Sequence, residues 1–321
     1  SFENTYHGKG YKKNMNIKNE NWMFLVIVVT HAGLSLLAAF TPFLDVVVQN
    51  MALNIIVSEV TIWLPALLFL LLSGTRPTAF CRIKKIHIST ALMTVLFTLL
   101  MEPLITVVNA LSMLVVENTV AGLSGQIAQV PLWGMLLGIA VYGPLAEELA
   151  FRGVIYQSYR GQENRWKALL LSSLLFGLMH MNLNQACYAF AMGIALALLV
   201  EATGSMIPAF IAHFCVNGLS TVLMYAVDNM AGGMEELVET AESGLGGQEF
   251  LLAISLYVVI ATVCTPLAGC VLAWIAGREG HREDLRSLWS SRKIKDPRLV
   301  SIPLILGILI CVVVIVLQML M

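Results

Sequence analysis

Residues 143–157 read GPLAEELAFRGVIYQ, and they place Glu147, Glu148 and Arg152 inside a chain that otherwise keeps charge out of its long apolar runs. In a soluble helix these three groups would mark a solvated face. The rest of the sequence excludes that reading. Of its 321 residues 58% are hydrophobic and only 12% charged, and the mean hydropathy is +0.80. No soluble domain of this length hides so much apolar surface. The apolar residues also fall in runs close to the ~20 residues a helix needs to cross a bilayer. The fold class is therefore all-α, a polytopic transmembrane helical bundle of about eight or nine spans, with the charges of 143–157 inside it.

Working outward from that stretch, the candidate spans are 22–40, 55–72, 88–116, 127–157, 167–181, 185–201, 206–228, 250–276 and 300–321. Pro65, Pro103, Pro144, Pro208 and Pro266 predict kinks or breaks, which membrane helices tolerate where neighbours re-satisfy the backbone. If nine spans alternate, the tail before the first, the 76–85 connection, the 158–167 connection and the 277–299 connection share one side. Eighteen of the nineteen lysines and arginines then lie on that side, and Arg152 is the exception. The positive-inside rule puts the N-terminus in the cytoplasm. This predicts a cytoplasmic tail over 1–21 and one integral-membrane domain over 22–321. The domain has its catalytic core at about 127–228, an acidic outer loop at 229–249 and a cytoplasmic loop at 277–299, read as a solvated connection in preference to a segment lying along the cytoplasmic surface.

Net charge is −1, and no basic, aromatic-interleaved patch points to nucleic acid. The six cysteines lie in or beside apolar stretches, without the spacing of a disulfide framework or zinc knuckle, and read as packing residues.

An ionisable group within the hydrocarbon is expensive and normally faces the protein interior, so each is a functional candidate. Helix rise puts Glu147 and Glu148 about 15 Å from the cytoplasmic ends of their spans, His213 about 12 Å, Asn217 about 18 Å and His180 about 20 Å. Three separate segments thus bring polar side chains to one slab of the membrane. Glu148 and Arg152 are spaced i, i+4 in the favourable order for an ion pair, a structural brace. Glu147 points about 100° away around the helix, free to face His180 or a water and to act as a general base. His213 and Asn217, one turn apart, suit hydrogen bonding to a developing oxyanion. Taken singly, His180 also reads as an interfacial histidine, and His213 and Asn217 as helix-to-helix hydrogen bonds. One glutamate and two histidines (Glu147, His180, His213) are also a valid zinc set, although no H-E-x-x-H stretch is present. Glu59, Glu102 and Glu201 are ambiguous.

Three motifs occur in order: EELAFRG with Glu147, Glu148 and Arg152; FGLMH with Phe176 and His180; and HFCVN with His213 and Asn217. Together they resemble the CAAX-protease and bacteriocin-processing family of intramembrane endopeptidases, which includes the Ras-converting prenyl endopeptidase. The resemblance is strong over about 127–220. It implies the helical fold of that endopeptidase and a water activated by Glu147 with help from His180. His213 and Asn217 would be the oxyanion pair, and Glu148, Arg152 and Phe176 the support. It implies no cofactor, with zinc on Glu147, His180 and His213 as the alternative. The substrate would be a membrane-associated peptide or a lipidated protein's C-terminal tail. The expected setting is a bacterial cytoplasmic membrane, with the site open toward the cytoplasm. A proton-coupled transporter using the same buried groups is the rival, weakened by the lack of an inverted repeat.

Overall fold

The computed structural model describes residues 17–41, 44–74, 76–119, 124–127, 129–161, 164–228, 247–294 and 299–320. Most of the expected N-terminal tail and outer acidic loop lies outside these residues. The described residues form ten main helices: α1 (Ile17–Phe40), α2 (Met51–Leu72), α3 (Ile88–Met113), α4 (Leu132–Arg160), α5 (Arg165–Met179), α6 (Leu183–Thr203), α7 (Ile207–Asp228), α8 (Gln248–Glu279), α9 (Arg282–Ser291) and α10 (Ile302–Leu320). Short turns at Asp45–Gln49, Pro77–Phe80 and Ser124–Ile127 connect some of them. The protein is an all-α polytopic bundle. Eight helices are long and apolar enough to cross a membrane: α1 to α4, α6 to α8, and α10.

The ninth expected span is a correction. Helix α5 has 15 residues, about 22 Å at 1.5 Å per residue, short of the ~30 Å hydrocarbon core. It survives as a buried element because α6 covers it closely. A Cβ on Gly177 of α5 would lie 2.6 Å from the Ala186 carbonyl, and one on Gly193 of α6 would lie 2.9 Å from the Ser173 Cβ. Only glycine permits this approach, and the two helices pack as a hairpin. The fourth segment starts later than expected, at Leu132 rather than 127.

Three of the prolines do not break their helices. Helices α2, α3 and α8 run on through Pro65, Pro103 and Pro266. The distortion sits in α4 instead, where Leu136–Tyr142 and Leu149–Ile155 are π-helical. At the end of the first wide turn the Gly143 N–H reaches back to the Gly138 carbonyl. Pro144 follows directly, and a wide turn is one way to seat a ring that cannot donate and that crowds the preceding turn. The glutamates occupy the short α-helical piece between the two π segments.

The connections expected to share one side do meet at one end of the bundle. Met206 N–H donates to the Arg82 carbonyl at 3.1 Å, and Ser205 Oγ donates to the Lys84 carbonyl at 2.8 Å. Arg160 and Arg165 pair with Glu201, and Asn21 of α1 donates to the Leu299 carbonyl at 2.9 Å. The 277–299 connection is a further correction. It is not merely solvated: α9 docks with Leu288 and Ser291 buried, and Trp289 meets Trp166 of α5 edge-on. The core lies along α4, α5 and α6, where Phe151, Ile155, Leu175, Phe176 and Leu199 are fully buried. Leu92, Leu252 and Leu320 on outer helices are largely exposed, as lipid-facing residues are.

Candidate active site

Helix α4 delivers Glu147, Glu148 and Arg152, α5 delivers Phe176 and His180, and α7 delivers His213 and Asn217. Glu148 is 0% exposed, and its Oε1 accepts a 2.9 Å bond from Arg152 Nη1, itself a 2% exposed side chain. The same oxygen lies 2.9 Å from His213 Nδ1. The other nitrogen of that ring, Nε2, lies 3.4 Å from Glu147 Oε2. His213 is therefore held between the two glutamates. With Nδ1–H donating to Glu148, Nε2 is left facing Glu147, and one proton can pass between them. Glu147 differs from its neighbour in access, because 14% of its side chain is exposed.

This corrects part of the partner assignment made from spacing. Two residues about 100° apart on a regular helix are not expected to grip one ring. The ring comes from α7, however, and enters between them. The imidazole next to Glu147 is His213. His180 Nδ1 lies 3.0 Å from the Phe176 carbonyl. A carbonyl only accepts, so Nδ1 carries the proton and the neutral ring keeps Nε2 as an acceptor. Asn217 Nδ2 donates to the Ile139 carbonyl in the first π segment at 3.0 Å. Its amide thus ties α7 to the stretch of α4 whose ladder is disturbed.

Phe176 is the hub of the site. The Arg152 guanidinium carbon stands 4.1 Å over its ring centroid. Phe151, His180 and His213 meet it edge-on, at centroid separations of 5.3, 5.2 and 5.8 Å. A desolvated cation over an aromatic face is stabilised by about 2 kcal/mol, which helps to make a buried arginine tolerable. The sequence placed Phe176 among supporting residues; its contact with three other members of the set comes only from packing.

Two residues left ambiguous by the sequence also take positions. Glu59 of α2 reaches α4, its Oε1 lying 3.4 Å from where a Cβ on Gly143 would be. Its charge lies within electrostatic range of Glu147. Glu201, at the far end of α6, accepts from Tyr156, Arg160 and Arg165. An acid at the end of a span, opposite arginines in the next connections, was the available signal for it. Glu102 has one carboxylate oxygen buried and, among the described residues, unbonded.

Among the described residues no three His, Cys, Asp or Glu side chains converge as a metal-binding group. Glu147, His180 and His213, the alternative zinc set, are not brought together as such a group.

The architecture is that of a membrane-embedded helical protein with glutamate–histidine pairs enclosed among its spans. Residues 129–219, less than half of the chain, match the family described as type II CAAX prenyl endopeptidase Rce1-like. That interval ends two residues beyond Asn217 and contains all seven site residues. A stretch of 107 residues, 33% of the chain, is 33% identical to the Bacillus subtilis (strain 168) protein named "Putative membrane peptidase YdiL". The match covers 43% of that relative's length. No solved structure matches the chain.

Proposed function

We propose that the protein is an intramembrane endopeptidase that cleaves a peptide bond near the C-terminus of a membrane-associated peptide or protein. The observation that carries this reading is the relay Glu147–His213–Glu148–Arg152, seated on Phe176 and shared among α4, α5 and α7. The members have unequal access, as a catalyst and its brace require. Glu147 is the accessible acid and takes the proton from water. The hydroxide forms a bond to the scissile carbonyl carbon, whose oxygen becomes the oxyanion. On collapse the C–N bond breaks, and the departing nitrogen takes the proton held by Glu147, so the enzyme returns to its starting state. His213 shares that proton through Nε2. The acceptor Nε2 of His180 orients the attacking water. Asn217 offers its remaining N–H to the oxyanion, while both nitrogens of His213 face glutamates, so the ring serves the proton instead. Glu148 and Arg152 hold His213 in register.

The matched family and the named relative support a peptidase acting in the membrane. The substrate is either a CAAX-like lipidated tail or an unmodified peptide undergoing maturation. The basic end faces the cytoplasm of a bacterial cell, and the site opens toward it. The test uses the purified protein in lipid nanodiscs with internally quenched peptides, one set ending in a prenylated cysteine tail and one unmodified. Cleavage by the wild type and loss of it in Glu147→Gln are expected. Cleavage that survives Glu147→Gln would overturn the assignment of the base.

A further inference from the structure

The basic end of the bundle carries a second cluster, separate from the relay. Arg82 and Lys84 come from the connection after α2, Arg160 from the end of α4 and Arg165 from the start of α5. All four lie within electrostatic range of Asp284, and Arg160 and Arg165 also pair with Glu201. Both acids are already engaged. Glu201, fully buried, takes Arg160 and Arg165. Asp284 takes Arg165 at 3.3 Å, Arg160 at 3.8 Å and His281 Nδ1 at 2.6 Å. Neither acid pairs with Arg82, and among the described residues the buried Nε of Arg165 has no partner either. Burial, and then the like charge of Arg160, hold the Arg82 guanidinium down to about 10; it remains a cation at neutral pH.

The backbone presents Arg82 on purpose-built geometry. It is a non-glycine residue in the left-handed region at φ 54°, a conformation that is unfavourable for an L-residue. The Met206 N–H bonds its carbonyl and keeps it there. Helix α9 closes the other side of the cluster. Gly204, at φ +62°, lets His281 approach so closely that a Cβ would fall 2.5 Å from its ring, and this brings Asp284 in. The height of the cluster in the bilayer follows from its neighbours. Trp166 stands next to Arg165, Trp289 is half-exposed on α9 with Arg292 stacked on it at 4.1 Å, and Trp22 is half-exposed in the first turns of α1. Tryptophans at the ends of spans sit at headgroup level. Glu147 lies thirteen residues up α4 from Arg160, about 20 Å away, so this cluster does not touch the reacting atoms.

We propose that Arg82, with Arg165, binds the phosphate of an acidic phospholipid headgroup at this end of the bundle. The chemistry is guanidinium to phosphate oxygen, which a planar fork of donors satisfies with two bonds. Free phosphate offers the same oxygens, but the tryptophan-level setting favours a headgroup tethered in the leaflet. The inference rests on the membrane-spanning fold and is independent of the proposed peptidase chemistry. Native mass spectrometry of the detergent-purified full chain tests it, with phosphatidylglycerol, phosphatidylcholine and inorganic phosphate as separate probes. Wild type is expected to retain phosphatidylglycerol in preference to phosphatidylcholine. Arg82→Gln should weaken that binding by about tenfold or more, the range for loss of one charge-assisted contact, and Arg82→Lys should recover part of it. Among the described residues Arg82 holds no ion pair, so an unchanged thermal midpoint in the Gln variant separates lost binding from lost folding. Equal phosphatidylglycerol retention by Arg82→Gln would overturn the site. Displacement of the lipid by millimolar inorganic phosphate would overturn the headgroup assignment.

Discussion

Replacing Glu148 by Gln changes almost no volume and removes one charge from the most enclosed part of the relay. The consequence is large because among the described residues Arg152 has no other carboxylate bonded to it: its side chain is 2% exposed, and its Nη2 is already buried without a partner. Breaking a buried ion pair by neutralising one member costs about 3–5 kcal/mol, mostly the penalty of the stranded charge. The bond at His213 Nδ1 weakens in the same substitution, but the two losses share one oxygen and do not simply add. Glu147→Gln is the opposite case, because its carboxylate is partly accessible and its contact with His213 is the longer one at 3.4 Å. Thermal unfolding in detergent, followed by tryptophan fluorescence and by survival on size exclusion, should show a drop on the order of 5–10 °C for Glu148→Gln. Glu147→Gln should stay within a degree or two of wild type while cleavage disappears. The double variant Glu148→Gln with Arg152→Met removes both charges and should regain most of the lost stability, since an apolar replacement for a buried pair is often neutral or better. A Glu148→Gln protein as stable as wild type, or a double variant weaker than the single one, would refute the brace. Equal instability in both glutamate variants would refute the division of labour between the neighbours.

Phe176→Ala should destabilise the bundle by about 3–5 kcal/mol through the cavity alone, and cleavage should fall further than in Phe176→Leu, which keeps volume but loses the aromatic face under Arg152; both are read from thermal midpoints and peptide turnover. Treatment with a strong chelator, followed by metal-free assay, should leave cleavage intact, because Glu147, His180 and His213 do not converge on one point; loss of activity restored by zinc would reverse this. Gly204→Val should loosen α9 by forcing a side chain into His281 from a left-handed backbone, seen as faster hydrogen exchange over 282–291 with the α4–α7 relay still protected. The bond from His281, and after it the charges of Arg160 and Arg165, hold Asp284 below the usual carboxylate range against the effect of burial. Its contribution is therefore present above its unfolded value of about 4 and is lost as pH falls toward the lower folded value. Exchange over α9 should rise on acidification below about pH 4, and less so in Asp284→Asn.

Much of this protein was legible without coordinates. Runs of apolar residues near the bilayer length identify membrane helices, because a backbone in hydrocarbon has to bond within itself. The clustering of basic residues in alternate connections predicted which ends of the helices meet, and the contacts of Arg82, Arg160, Arg165 and Asn21 lie at one such end. The pair Glu148–Arg152 follows from local spacing, since i and i+4 remain neighbours even in the widened turn that holds Arg152. The three motifs pointed to the family matched over 129–219. What no local rule supplies is how α7 approaches α4. That docking sends one imidazole between adjacent glutamates whose directions on the helix differ, and so makes His213, not His180, the ring beside Glu147. The π segments were equally hidden, because a one-residue widening leaves no periodic mark in an apolar run. The shortness of α5, the folding back of α9 and the central place of Phe176 depend on close approaches between helices distant in sequence. Sequence periodicity reports each helix's own faces, whereas only tertiary packing decides which faces meet.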